Sequence, residues 1–175
     1  MNLPQGVASR PWLIAVMGIS GTGKTTIGTA LALQLGAVYA DGDAFHSAAH
    51  VAKMASGVPL TDADRIPWLA DIGRWLHEQT SVGAVVSCSA LRRVYRDTLR
   101  SQAPALIFLH LTGDPALIEQ RVRERHGHFM PPSLVASQLD TLEPLADDER
   151  GMALDARAAP DELVRAFIAQ LSRFA

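Results

Sequence analysis

Met17-Gly18-Ile19-Ser20-Gly21-Thr22-Gly23-Lys24-Thr25-Thr26 is the stretch whose reading decides the fold. Gly18 to Thr25 match G-x-x-x-x-G-K-[ST], the phosphate-binding loop of nucleoside-triphosphate proteins. Its glycines admit backbone angles that a side chain forbids, so consecutive N–H groups can turn inward around phosphate oxygens. The Lys24 ammonium reaches the β- and γ-phosphates, and the Thr25 hydroxyl ligates Mg²⁺. Gly18, Ser20, Gly21, Thr22, Gly23, Lys24, Thr25 and Thr26 are therefore assigned to the nucleotide.

The flanks agree with this reading. Trp12 to Met17 is an apolar run of strand length, as expected of a buried parallel strand. Ile27, Ala30, Leu31 and Leu35 recur at helical spacing, and Gly36 follows as a C-terminal cap. Further strands are expected at 37–40, 83–87, 106–111 and 152–155. Helices are expected from Ile66 to Thr80 with Pro67 in the first turn, from the Arg92 region to Arg100, from Asp114-Pro115 to Arg125, and from Pro160 to Phe174. This alternation predicts an α/β fold: a three-layer α/β/α sandwich around a central parallel sheet, in one domain over 1–175. Ligands then sit beyond the carboxyl ends of the strands, at the loop, Asp41/Asp43, 87–92 and the turn after Leu111.

Composition narrows the class. A net charge of −2 gives no reason to expect nucleic-acid binding. The single cysteine, Cys88, excludes an intramolecular disulfide and reads as a small buried hydrophobe in a reducing, cytoplasmic setting. No apolar segment approaches the ~20 residues of a membrane span. Seven arginines lie between Arg92 and Arg125, against four acidic residues, whereas the whole chain has two lysines, Lys24 and Lys53. That concentration suits phosphate or carboxylate groups, or else solvated helix faces.

Asp41 and Asp43 follow the second strand. Phosphoryl transfer to an alcohol needs a metal shell and a carboxylate beside the attacking hydroxyl, roles that Asp41 and Asp43 can divide. An Asx-type turn is the other reading of Asp-Gly-Asp. His46 and His50 stand four apart without the further ligands of a metal site, so a polar contact to substrate by His46 is favoured. Lys53 to Arg65 is a polar, Gly/Pro-containing lobe that can cover a small anionic acceptor, with Lys53 and Arg65 as its cations; Asp64 can instead cap the helix that follows. Arg121, Arg123 and Arg125 run into Gly127-His128-Phe129-Met130-Pro131-Pro132, the pattern of a mobile lid over about 121–138, with Arg121 and Arg125 facing the phosphates.

Taken together these segments resemble the gluconate kinases, small P-loop enzymes related in fold to shikimate and nucleoside monophosphate kinases. The resemblance rests on the loop, Asp41-Gly42-Asp43-Ala44-Phe45-His46, Lys53-Met54 through Pro59-Leu60-Thr61-Asp62, Asp64-Arg65-Ile66-Pro67-Trp68-Leu69, Cys88-Ser89-Ala90-Leu91-Arg92-Arg93-Val94-Tyr95-Arg96-Asp97, Gly127-His128-Phe129-Met130-Pro131, Ser137-Gln138 and Leu142-Glu143-Pro144-Leu145. It covers about 12–155. It implies ATP-dependent phosphorylation of the C6 hydroxyl of D-gluconate and a homodimer. Carried onto this chain, it makes Lys24, Asp43 and Arg125 catalytic. His46, Arg65, Arg92, Arg96, His128 and Gln138 become contacts to the sugar acid. The chain departs from the family in having Arg at 92 and 93, where Lys is frequent, and Ser47 where a proline is common. Arg157 and its neighbours are expected to border the adenine. Other readings are a shikimate-kinase-like enzyme for another hydroxy acid, and a nucleotide-dependent switch without catalysis.

Overall fold

The computed structural model describes residue 7, residues 10–124 and residues 133–175. Five strands, β1 (Leu13–Met17), β2 (Val38–Asp41), β3 (Ala84–Ser87), β4 (Ile107–Thr112) and β5 (Gly151–Asp155), form one sheet in the order β2-β3-β1-β4-β5. Every pairing is parallel. Each strand ends within one residue of its expected limits, because buried parallel strands are written as uninterrupted apolar runs.

Alternation along β1 divides the core. Ile14 and Val16 pack with Ile27 and Leu31 of α1 (Lys24–Leu35) and with Val164 and Phe167 of α7 (Pro160–Gln170). Leu13, Ala15 and Met17 pack on the opposite face with Leu69, Ile72 and Leu76 of α3 (Asp62–Glu78) and Leu99 of α4 (Arg93–Gln102). The sheet is thus buried on both sides, as an all-parallel sheet must be. A third cluster of Ile19, Leu91, Ile118 and Val135 sets α5 (Pro115–Glu124) and α6 (Ser133–Thr141) beside the loop after β1.

Gly36 ends α1 as expected, its N–H donating to Ala32 O. The start of α3 differs from the expectation: it begins at Asp62, not Ile66, and Pro67 lies in its second turn. The signal is a capping box, with Thr61 Oγ1 accepting from Asp64 N–H and Asp64 Oδ2 accepting from Thr61 N–H at 2.8 Å. This stabilises the start enough to carry a proline that supplies no N–H to the helical ladder. The short α2 (Ala48–Ala55), absent from the sequence reading, buries no residue: its apolar positions are mostly alanines over two turns, too slight a stripe to stand out in the sequence. Ser47 caps it by accepting from His50 N–H at 3.2 Å. The closing helix stops at Gln170 and tightens into a 3-10 turn over Leu171–Phe174.

One charged pair lies inside this framework. Arg96 on α4 is 1% exposed, and its guanidinium makes a fork on Glu149 at 2.6 and 2.7 Å. Its remaining hydrogen bonds go to the carbonyls of Ala90, Leu91, Glu143 and Pro144. Taking an ion pair out of water costs several kcal/mol per ion unless every lone pair and proton finds a partner, and here they do. Ala90, the one non-glycine of positive φ among the described residues (43°), turns its carbonyl into that set.

His110 on β4 lies beside the pair, with Nε2 buried and without a hydrogen bond among the described residues. Burial first, and the Arg96 cation second, push its imidazole from 6.5 down to about 4, with Glu149 opposing weakly. The unfolded chain therefore takes up this proton near pH 6.5, whereas the folded chain does not until about 4. Stability is complete above 6.5 and declines through that window as pH falls. Urea unfolding at pH 5 should give about 2 kcal/mol less stability than at pH 7 from this group. His110→Gln should flatten that slope; an unchanged slope would show that His110 is not its origin.

Candidate active site

The parallel register brings the ends of three strands level. Ser87 lies opposite Asp41 on one side and Val16 on the other, so the loop after β1, Asp41 and the segment after β3 emerge together. Beyond them opens a cavity of about 570 Å³, lined by the P-loop, Asp41, Asp43, Ser87 to Ser89, Arg121 and Gln138 among others.

The loop has the backbone that its sequence demands. Gly18 and Gly21 have φ of 139° and 86°. A Cβ on Gly18 would stand 2.6 Å from Leu111 O, and one on Gly21 2.7 Å from Val122 Cγ2. Thr22 turns inward, donating to Ile19 O at 2.9 Å. Helix α1 starts from Gly23 without any side-chain cap, so its first N–H groups and the positive end of its dipole are directed to the hollow of the loop. Lys24 Nζ reaches back across the loop to Ile19 O at 3.0 Å.

Thr25 and Asp41, assigned to metal from different segments, come together: Thr25 Oγ1 donates to Asp41 Oδ2 at 3.4 Å. The other oxygen of Asp41 accepts from Asp43 N–H at 3.1 Å, so the Asp-Gly-Asp turn exists and serves to orient both carboxylates. Asp43 points outward with its side chain 76% exposed, 3.9 Å from His46 Nε2. His46 stacks on Trp68 (4.2 Å between centroids, 18° between planes), and Trp68 Nε1 donates to Gly42 O. Burial lowers the His46 pKa, with Asp43 opposing and His50 and Arg65 adding to the fall, which keeps the imidazole neutral near pH 7. No cluster of three or more metal-ligating His, Cys, Asp or Glu occurs among the described residues. Cys88 lines the cavity, but burial pushes its thiol up to about 12, so it is inert there.

Several assignments change place. Arg96 was expected at the sugar acid; it is buried and committed to Glu149 and four carbonyls, with nothing left for a ligand. Lys53 Nζ is 2.5 Å from Asp64 Oδ2, where it ties α2 to the capping box of α3 and holds the Asp64 carboxyl well below the usual range. Gln138 meets the P-loop: its Oε1 accepts from Ser20 N–H at 2.7 Å. Arg65 and Arg92 lie against the Tyr95 ring, Arg92 being paired with Asp62 and, at 3.6 Å, with Glu143. Arg125 and His128, and with them the centre of the expected lid, fall outside the described residues.

Next to the main cavity is a hollow of about 140 Å³ between the start of α1 and the β5–α7 connection, lined by Thr26, Arg121, Ala156, Ala158 and Pro160 among others. Arg121 borders both spaces and donates to Ala156 O at 3.0 Å. Arg157 turns away to Asp155, while its neighbours Ala156 and Ala158 form the wall. Glu124 carries no motif that singles it out in the sequence, whereas Ser89 and Tyr95 stand in the 88–97 segment without a role of their own assigned.

The loop geometry separates two glycines. Gly21→Ala meets both an unfavourable φ and Val122, whereas Gly23→Ala meets only the φ, with no atom within 4 Å of the new Cβ. Gly21→Ala should cost about 1–3 kcal/mol more than Gly23→Ala in urea unfolding. Equal losses in the two variants would refute the close packing of α5 on the loop.

Comparison with known proteins places this architecture. The model of the shikimate kinase family matches residues 20–171. The gluconokinase of Gluconobacter oxydans is 47% identical over 92% of this chain and 94% of its own. Among solved structures, a gluconokinase from Sinorhizobium meliloti superposes with a TM-score of 0.85 at 46% identity, covering 94% of each chain. A sugar kinase from Janibacter does so with a TM-score of 0.87 at 45% identity, over 93% of this chain and 95% of that one. At this identity, over nearly the full length of both partners, the chain belongs to the gluconokinase family of P-loop kinases.

Proposed function

We propose that this chain transfers the γ-phosphoryl group of ATP to the C6 hydroxyl of D-gluconate, giving 6-phosphogluconate and ADP. The observation that carries the reading is the meeting of Lys24, Thr25, Asp41 and Asp43 around one cavity, with an uncapped helix N-terminus at its floor. This is the minimum apparatus for phosphoryl transfer to an alcohol. The sugar-acid acceptor is supported by the 47% identical gluconokinase and by the nearby Arg65 and Arg92.

Thr25 Oγ1 and Asp41 Oδ2 are hard oxygen donors side by side, and they suit Mg²⁺, which keeps several waters and phosphate oxygens in its shell. Mg²⁺ held there neutralises charge on the transferring phosphoryl group. The P-loop amides and Lys24 bind and orient the β- and γ-phosphates. Asp43 orients the terminal hydroxyl and accepts its proton as the new P–O bond forms. Its exposure and its separation from Asp41 leave it open to an incoming hydroxyl. The neutral His46 supplies a polar contact beside it, and Arg65 and Arg92 meet the acceptor carboxylate. Arg121 borders the nucleotide, and the adjoining small hollow takes the adenine. In this reading Arg125 closes on the phosphates and His128 on the sugar acid as a lid over about 121–138. The chain works as one domain over 1–175, as a cytoplasmic homodimer that engages no nucleic acid or membrane. No helix among the described residues is long and apolar enough to cross a membrane.

ADP release should be measured with ATP·Mg²⁺ and gluconate, shikimate, other sugar acids or water alone. Turnover selective for gluconate is expected; turnover selective for shikimate would keep the chemistry and overturn the acceptor. Lys24→Ala should abolish turnover, and Asp43→Asn should lower kcat by about 10²–10⁴-fold with ATP affinity unchanged. Full turnover in Asp43→Asn would exclude an essential base at that position.

A further inference from the structure

Arg65 comes from α3 and Arg92 from the residue before α4, yet both guanidinium groups lie on one aromatic ring. Their central carbons are 5.6 and 5.7 Å from the Tyr95 centroid. Tyr95 is 3% exposed and sits in the first turn of α4, where its N–H donates to Arg92 O at 3.1 Å. Its hydroxyl donates to Asp62 Oδ1 at 2.6 Å, while Asp62 Oδ2 accepts from Arg92 Nη1. Ring and hydroxyl thus act on the same two cations, one directly and one through the carboxylate that pairs with Arg92.

Arg65 donates through Nε to Leu60 O at 3.2 Å, and its two terminal nitrogens make no hydrogen bond among the described residues. A guanidinium held over an aromatic ring, with its terminal nitrogens unspent, can take a carboxylate by a two-point fork. Each of the two cations is attracted by the negative face of the ring. The hydroxyl shares the charge of Asp62, so the carboxylate is anchored to Tyr95 as well as to Arg92 and competes less with an incoming anion.

Building on the gluconate reading, we propose that Tyr95 is a positioning residue for the acceptor's carboxylate: it anchors Arg65 and Arg92 to one ring and restrains Asp62, already paired with Arg92, from closing on the fork of Arg65, without itself touching the acceptor. Its contribution belongs to acceptor affinity and to discrimination between acids and uncharged polyols. Phosphoryl transfer and nucleotide binding do not depend on it.

The test is steady-state kinetics of wild type, Tyr95→Phe and Tyr95→Leu with ATP and gluconate. Tyr95→Phe keeps the platform and frees Asp62; it should raise the gluconate KM about threefold. Tyr95→Leu removes the platform and should raise it about tenfold. In both, kcat and the ATP KM should stay within about twofold, the pattern of lost uniform binding. Adding Asp62→Asn to Tyr95→Phe should bring the gluconate KM back toward wild type. Leu99→Ala, buried on the same helix, is the control for destabilisation alone: it should lower Tm and leave the gluconate KM in place. An unchanged gluconate KM in both Tyr95 variants would overturn the proposal. So would a joint fall of kcat, ATP affinity and Tm in Tyr95→Phe. Wild type that does not turn over gluconate would instead remove the acceptor assignment on which the proposal rests.

Discussion

The buried fork between Arg96 and Glu149 holds the acceptor side of the molecule in register with the nucleotide side. Arg96 collects carbonyls from the segment after β3 and from the 143–144 turn, two stretches without regular structure of their own. The consequences run outward along the chain. Ala90 is fixed at a positive φ, next to Ser89, whose carbonyl accepts from the N–H of Gly18 at 3.3 Å. Glu143, held by its backbone, caps Arg93 N–H and stands 3.6 Å from Arg92. One desolvated cation thereby sets both the entrance of the phosphate loop and the start of the helix that carries Tyr95. The cost of burying it is offset only when the whole set is assembled, so the arrangement forms as a unit.

The sheet supplies the complementary constraint. β1 is flanked by β3 and β4, and successive side chains on it serve opposite helical layers, so its direction cannot drift. Its carboxyl end is where the loop begins, and the apolar packing of Ile19 with Leu91, Ile118 and Val135 pins the loop's outer side. Gln138, from α6 in that same cluster, reaches Ser20 N–H. The loop is held by the strand behind it, α1 ahead of it and α5 and α6 beside it.

What the sequence made legible follows from which signals are local. Apolar runs, the G-x-x-x-x-G-K-T pattern and Gly36 each act within a few residues, and they located the strands, the loop and the end of α1. The start of α3 was obscured because an apolar stripe from Ile66 onward outweighed the capping box at Thr61–Asp64, although the box was there to be read. Arg96 was misplaced for a different reason: its partner Glu149 is 53 positions away, and nothing in an Arg-rich helix distinguishes an arginine facing solvent from one facing a buried glutamate. Lys53 is a similar case, with a partner in Asp64 that the fold brings near, whereas Gln138 both lines the cavity and meets the Ser20 amide. Tyr95 stands in the 88–97 segment without an assigned role, and its importance appears only when Arg65 and Arg92 are seen on one ring.

The arginine-rich middle of the chain behaves accordingly. Arg93 forks onto Asp148 and also binds Asp97, Arg96 takes Glu149, Arg123 lies near Glu119, and Arg121 meets a backbone carbonyl. What reads in sequence as a basic stretch is, in three dimensions, largely engaged within the protein: Arg92, Arg93 and Arg96 with carboxylates from distant segments, Arg123 with one of its own helix and Arg121 with a carbonyl. Selectivity for a small anion then depends on the few cationic forks that the protein's own carboxylates do not fill. Arg65 is such a fork among the described residues, and Arg92 is half of one, shared with Asp62 and Glu143. A single carboxylate on a small acceptor is the chemistry that an open guanidinium fork suits.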